Sequence, residues 1–351
     1  MRHNKLGRTG LDVSIIGLGM EHLTAAETIA PVVHRALDRG VNYVDIMIWR
    51  PELQSALGAA LEGRRDQVVL AGHLGVDQLR GMYRRTRDAR QCETLFHDLL
   101  SRLHTDYLDL LYLTNLDSRE DYRRVVAPGG VLELVLRLKQ QGKARFVGLS
   151  GHKEAVALRA VKAGHLDVVM HPIHIANADP EKELCHTCAR LGVGLVAMKP
   201  FAGGELFQRG KPISPIPCLA YTLSQPGVSA ALLGVKNVEE LEADLAFLEA
   251  SDEEKDFAAL LGELQQGLEG RCVYCNHCLP CPADIDVGAT LRMLVTGQQG
   301  MSDPLRASYD ALPARASACI ECGLCMERCP FGVDVVARMN EAADLFEAHT
   351  G

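Results

Sequence analysis

Between Val13 and about Leu248, short apolar runs alternate with longer amphipathic stretches, the pattern of repeated strand–helix units that build a parallel sheet. The apolar runs predict strands at residues 13–18, 43–45, 68–72, 108–113, 146–150, 168–171, 194–198 and 230–233. Helical spacing follows them: residues 95–103 and 131–141 place apolar side chains three and four apart, and Gly142 stands where a helix-ending glycine belongs. Eight such units predict a closed (β/α)8 barrel of the TIM type rather than an open, doubly wound sheet. In such a barrel the chemistry lies at the carboxyl ends of the strands, so the residues just after each apolar run are the candidates. A longer connection with Pro212, Pro215 and Pro217, residues 203–218, follows the seventh strand and reads as a lid or a solvated loop. Ser251, with Glu254 three residues on, predicts a capped polar helix running to about Gly270, where the composition changes. The expected domains are therefore 1–268 and 269–351.

Charge narrows the partners. The chain of 351 residues carries 37 Lys and Arg against 45 Asp and Glu, a net charge of −8. That balance argues against nucleic acid or an anionic membrane surface as partner and leaves small molecules and proteins. No apolar run has the length of a membrane helix, and the first seven residues lack the apolar stretch of a signal peptide, so a cytoplasmic protein is expected. Eight of the twelve cysteines fall between residues 272 and 329. Clustering of that kind in a reducing compartment points to metal rather than to disulfides.

The tail reads Cys272-Val-Tyr-Cys275-Asn-His-Cys278-Leu-Pro-Cys281-Pro282, then Cys319-Ile-Glu-Cys322-Gly-Leu-Cys325-Met-Glu-Arg-Cys329-Pro330. Three thiolates at i, i+3 and i+6 wrap one corner of a cubane, and a later cysteine before proline supplies a fourth ligand. A pair of four-thiolate zinc sites is the alternative. Over residues 270–340 the tail resembles a two-cluster bacterial ferredoxin. The resemblance implies two [4Fe-4S] clusters, one on Cys272, Cys275, Cys278 and Cys329, the other on Cys319, Cys322, Cys325 and Cys281. Clusters of this kind move single electrons, so exchange with a redox partner protein is expected, with a purely structural role as the alternative. Cys185 and Cys188 have redox spacing but sit within a predicted helix, where packing is the simpler reading.

Further residues carry a second resemblance: Leu6-Gly-Arg-Thr-Gly-Leu11, Gly40-Val-Asn-Tyr-Val-Asp45, Asp106-Tyr-Leu-Asp-Leu-Leu111, Val147-Gly-Leu-Ser150, Met198-Lys-Pro-Phe201 and Leu233-Gly-Val-Lys236. Together they resemble the aldo-keto reductases, and with the tail a subgroup bearing a ferredoxin-like extension. The resemblance implies an NADPH-dependent carbonyl reductase with an Asp, Tyr, Lys and His tetrad. Only Asp45 matches. Arg50 stands in the tyrosine position, His73 in that of the lysine and Thr114 in that of the histidine. In the nucleotide pocket Ser150 is kept, Gly151 and Met170 replace amide side chains, Lys236 is placed to grip a 2′-phosphate, and Asp244 replaces an asparagine. NADP(H) binding is thereby put in doubt.

In place of the tetrad stand His73, His152, His171 and His174 at or after strand ends, with Glu21 and His22 after the first strand. Strand ends of a closed barrel converge, so these imidazoles with Asp45 are expected to share a mononuclear metal, zinc or non-haem iron; alternatively His73 and His174 work as acid and base near their ordinary pKa of about 6.5. Arg50 is expected to orient a substrate carboxylate or phosphate, or to be solvated. The expected function is an iron–sulfur oxidoreductase moving electrons between two clusters and a small molecule at the barrel mouth. Its alternatives are an altered NAD(P)H-dependent reductase, an electron-transfer or assembly subunit with an inactive barrel, and a non-redox lyase or isomerase.

Overall fold

The computed structural model describes residues 1–47, 50–79, 82–177, 181–208, 213–257, 260, 264, 270, 272, 278–299, 301, 303–329 and 332–347. Eight parallel strands follow one another around a closed barrel: β1 (Ile16–Gly19), β2 (Tyr43–Ile46), β3 (Val69–Leu74), β4 (Leu108–Thr114), β5 (Ala144–Ser150), β6 (Val168–Pro172), β7 (Gly194–Met198) and β8 (Val228–Gly234). Closure is made by β8 on β1, with Ala231 opposite Ile16 and Gly234 opposite Gly19.

The helical layer comprises α1 (Ala26–Asp38), α2 (Pro51–Ala60), α3 (Ala89–Arg102), α4 (Arg119–Val126), α5 (Val131–Gln140), α6 (Glu154–Lys162), α7 (Glu181–Leu191), α8 (Pro215–Ser224) and α9 (Val238–Leu245). Each buries one stripe. On α3 this is Cys92, Phe96, Leu99 and Leu100, and the side chain of Asp88 caps its start by accepting from the Gln91 amide.

Alternation along the strands fills the barrel with Tyr43, Val69, Ala71, Leu110, Tyr112, Val168, Met170, Val196, Met198, Ala230 and Leu232. Leu6, Leu11 and Val13 of an N-terminal hairpin join this core. The two tyrosines fit because the adjacent strands carry glycine beside them. A Cβ on Gly17 would lie 2.5 Å from the Tyr43 ring, and one on Gly148 would lie 2.4 Å from Tyr112.

Several expectations are corrected. The first predicted strand divides: Asp12–Ser14 pairs antiparallel with His3–Lys5, and only Ile16–Gly19 enters the barrel. A two-stranded hairpin, Val76–Leu79 with Met82–Arg85, lies between β3 and α3, where a helix alone was expected. The long connection after β7 is shortened because Ser214 caps a helix that begins at Pro215. Ser251 and Glu254 do exchange their capping hydrogen bonds, but residues 252–255 form turns; Leu260 and Leu264 are helical, and most of 258–270 lies outside the described residues.

By compactness the chain divides into Met1–Asp77 with Thr86–Gln265, and Gln78–Arg85 with Gln266–Gly351. The second unit contains α10 (Val287–Gln299), α11 (Asp303–Asp310), α12 (Leu324–Arg328) and α13 (Val335–Glu347). Its core joins Leu291 and Leu294 to Met339, Ala342 and Phe346, and Tyr309 stacks on Phe346 with ring centroids 4.1 Å apart. Among the described residues no helix is long and apolar enough to cross a membrane.

Candidate active site

Asp45, His73 and Thr114 end β2, β3 and β4 and point inward, one alternation above Tyr43, Ala71 and Tyr112. Three adjacent strands thus bring together residues that are distant in sequence. His73 Nε2 lies 2.8 Å from Asp45 Oδ2, and His73 Nδ1 lies 2.6 Å from Thr114 Oγ1. All three side chains are buried, Asp45 at 1% exposure. In the neutral imidazole, Nε2–H donates to the carboxylate and the threonine hydroxyl donates to Nδ1. In the imidazolium both nitrogens donate, and the hydroxyl turns to the Tyr112 carbonyl, 3.3 Å away. Either form of the ring therefore leaves no polar atom of the trio unpaired.

Below it, the Tyr43 and Tyr112 phenols hydrogen-bond to each other at 3.0 Å, and the Tyr112 ring stacks against His73 with centroids 5.2 Å apart. Burial pushes both phenols well above their ordinary pKa, and the Asp45 carboxylate adds to it. They stay neutral.

Arg87, which the sequence pattern did not single out, fixes this strand end. Its guanidinium forks onto Asp121 at 2.8 and 2.6 Å and donates to the carbonyls of Thr114 (3.0 Å), Asn115 (3.1 Å) and Gly75 (3.2 Å). Asn115 has a positive φ of 55° and Gly75 one of 96°, so Arg87 ties down two turns of unusual backbone. A fork of fixed donors is the group that can do this, and its only trace in the sequence is an arginine just before α3.

The other histidines do not join the trio. His171 lies on the face of β6 opposite the core-facing Met170, and its Nδ1 is 2.9 Å from the Gly151 carbonyl. Burial and the neighbouring His152 push its pKa down to about 4. His152 stands over Asp117, whose carboxylate accepts from the His152 amide at 2.6 Å and lies 3.5 Å from its ring. His174 is 1% exposed, and burial, with Lys199 and His171 nearby, pushes it down to about 3. The expectation that His174 titrates near 6.5 is corrected, because desolvation keeps it neutral through the working range. Lys199 ends β7 with a positive φ of 56°, a strained position beside this group.

Among the described residues no three His, Cys, Asp or Glu side chains stand close enough to hold a single ion. Arg50 donates to the Thr24 carbonyl and pairs with Glu52 at 3.6 Å, contacts that anchor the start of α2. Ser150 is buried at the end of β5. Lys236 is exposed and faces Glu240 at 3.7 Å. Asp244, on the same helix as Glu240, is pushed up to about 7 by burial and by that carboxylate. Glu21 and His22 form an exposed turn after β1.

In the second unit Cys278, Cys281, Cys319, Cys322 and Cys325 line one cavity, walled by Ile285, Val287, Val335, Val336 and Met339. Cysteine thiolates gathered round one cavity are the donor set of a cubane. Burial raises the Cys325 thiol, and the nearby Cys319 and Cys281 raise it further. The set Cys281, Cys319, Cys322 and Cys325 thus fits the second cluster. Cys272 and Cys329 are half-buried, and Cys275 lies outside the described residues. Cys188, by contrast, is buried in α7 and pushed up to about 12, a packing thiol.

The model of the aldo/keto reductase family matches residues 15–217, more than half of the chain. The chain belongs to this family. It is an oxidoreductase, and residues 271–334 match a 4Fe-4S dicluster domain. Among its relatives is the uncharacterized oxidoreductase YqkF of Bacillus subtilis, 26% identical over 70% of this chain and 90% of its own length. Among solved structures, the holo form of aldo-keto reductase AKR11C1 from Bacillus halodurans superposes with a TM-score of 0.63. It is 22% identical and covers 75% of this chain and 96% of its own, a likeness of fold. As an aldo/keto reductase this chain is unusual in its mouth. There His73 is hydrogen-bonded to Asp45, and Arg50 is held on the Thr24 carbonyl.

Proposed function

We propose that the protein reduces or oxidises a small carbonyl or alcohol at the barrel mouth, with single electrons exchanged through the C-terminal clusters and protons handled by His73. The Asp45–His73–Thr114 chain carries this reading, since it holds one exchangeable proton at the strand ends where the barrel's chemistry is placed. Asp45 orients the ring and steadies the imidazolium; Thr114 accepts from or donates to Nδ1 as the ring's charge changes. Cys281, Cys319, Cys322 and Cys325 would hold one cluster, and the resemblance assigns Cys272, Cys275, Cys278 and Cys329 to the other. When bound, such clusters supply and accept one electron at a time. His171 and His174, kept neutral by burial, and His152 beside Asp117 are buried around this end of the barrel. The barrel is assigned residues 1–268 and the cluster domain 269–351, and a cytoplasmic setting accords with exposed thiolate chemistry.

The test is anaerobic. Cluster-loaded, dithionite-reduced protein is mixed with a panel of aldehydes and ketones while cluster absorbance is followed. Recovery of absorbance in the wild type and its loss in His73→Ala is the expected result. Bleaching of the oxidised protein by stoichiometric NADPH, with His73→Ala unaffected, would instead support a nucleotide-driven reductase.

A further inference from the structure

Residues 320–327 present a run of side chains to water next to the cavity of the second cluster. Ile320 is 65% exposed while also lining that cavity, and Cys322, unlike Cys281, Cys319 and Cys325, is exposed. Met326 is 39% exposed, and Glu321 and Glu327 are exposed on either side. No Lys or Arg falls between residues 316 and 327. Arg328, the next cation, donates to the carbonyls of Cys278 and Pro280 at 3.2 and 2.8 Å. A large aliphatic side chain kept in water beside two carboxylates, with a cluster ligand at the surface, is costly for packing and useful for contact.

We propose that this face is where the protein exchanges electrons with a partner: a one-electron carrier protein whose own redox centre lies under an apolar spot ringed by Lys and Arg. The inference rests on the second cluster being held by Cys281, Cys319, Cys322 and Cys325. Ile320 and Met326 would form the desolvated centre of a small, transient interface, and Glu321 and Glu327 would steer the basic partner to it. One electron leaves this chain and reduces the partner's metal by one unit, or passes the other way. No bond is made or broken.

The test uses the cluster-loaded full chain, reduced with dithionite, and ferricytochrome c, a basic haem protein, as probe. Stopped-flow rates are measured from low to high salt, with a neutral benzoquinone as a small acceptor that needs no docking. The wild-type rate with cytochrome c should fall about tenfold as salt rises. Glu321→Gln with Glu327→Gln should lower the low-salt rate about fivefold and flatten its salt dependence. Met326→Ser should lower it at every salt concentration, while iron content, the electron paramagnetic resonance spectrum and the benzoquinone rate stay unchanged. A cytochrome c rate that ignores salt and all of these substitutions, with clusters intact, overturns the docking face. Protein that takes up no iron after reconstitution overturns the cluster reading itself, which separates the two failures.

Discussion

His73 is the residue on which the site turns, and its energetics are as specific as its chemistry. It is the hydrogen-bond partner of a carboxylate that is 1% exposed. Replacing it with alanine leaves that charge buried and unpaired, so His73→Ala should lose about 3 kcal/mol of stability at neutral pH in urea unfolding. Asp45→Asn added to it should restore part of the loss, and the cycle isolates the coupling. Asp244 makes the opposite prediction. Its pKa is raised in the folded state to about 7, so the folded protein holds a proton that the unfolded chain has lost. Its stabilisation is complete below about pH 4 and declines as pH rises through 7. Asp244→Asn should therefore match the wild type at pH 4 and exceed it by about 3 kcal/mol at pH 8, read from urea midpoints. The strand-end histidines were visible in the sequence, but their grouping was not. A step of one residue along β6 sends His171 away from the barrel interior, and burial takes His174 out of the titrating range.

Elements were the most legible level, because a strand buried on both sides reads as a plain apolar run. Residues 194–198 were predicted as a strand and form β7 without change; apart from the first, which divides, the other barrel strands differ by a residue or two at their ends. What escaped was local and polar: the hairpin of Val76–Leu79 with Met82–Arg85, and the Arg87 clamp that follows it. Neither has an apolar period to betray it. The clamp joins the β3 and β4 ends to α4 through Asp121, so its loss should loosen Thr114 before it unfolds the barrel. Arg87→Lys keeps the charge but not the fork; it should cost about 2 kcal/mol of stability and lower kcat more than it raises KM once a substrate is in hand.

At the scale of the whole molecule, a barrel of the aldo/keto reductase family is joined to a tail that matches a dicluster domain, and the two carry complementary chemistry. The cysteine spacing made the tail legible as a dicluster domain, and Cys281 lines one cavity with Cys319, Cys322 and Cys325, and with Cys278 as well. Cys281→Ser should accordingly lower iron from about eight to about four per chain and halve the cluster absorbance. The central claim is that electrons for the barrel's substrate come through these clusters. It is tested most directly by counting, in one anaerobic sample without nucleotide, the electrons lost by dithionite-reduced protein and the alcohol formed from an added carbonyl compound. The account predicts two electrons lost and two protons taken up per alcohol formed. Alcohol appearing only when NADPH is added, with the clusters unchanged throughout, would contradict it.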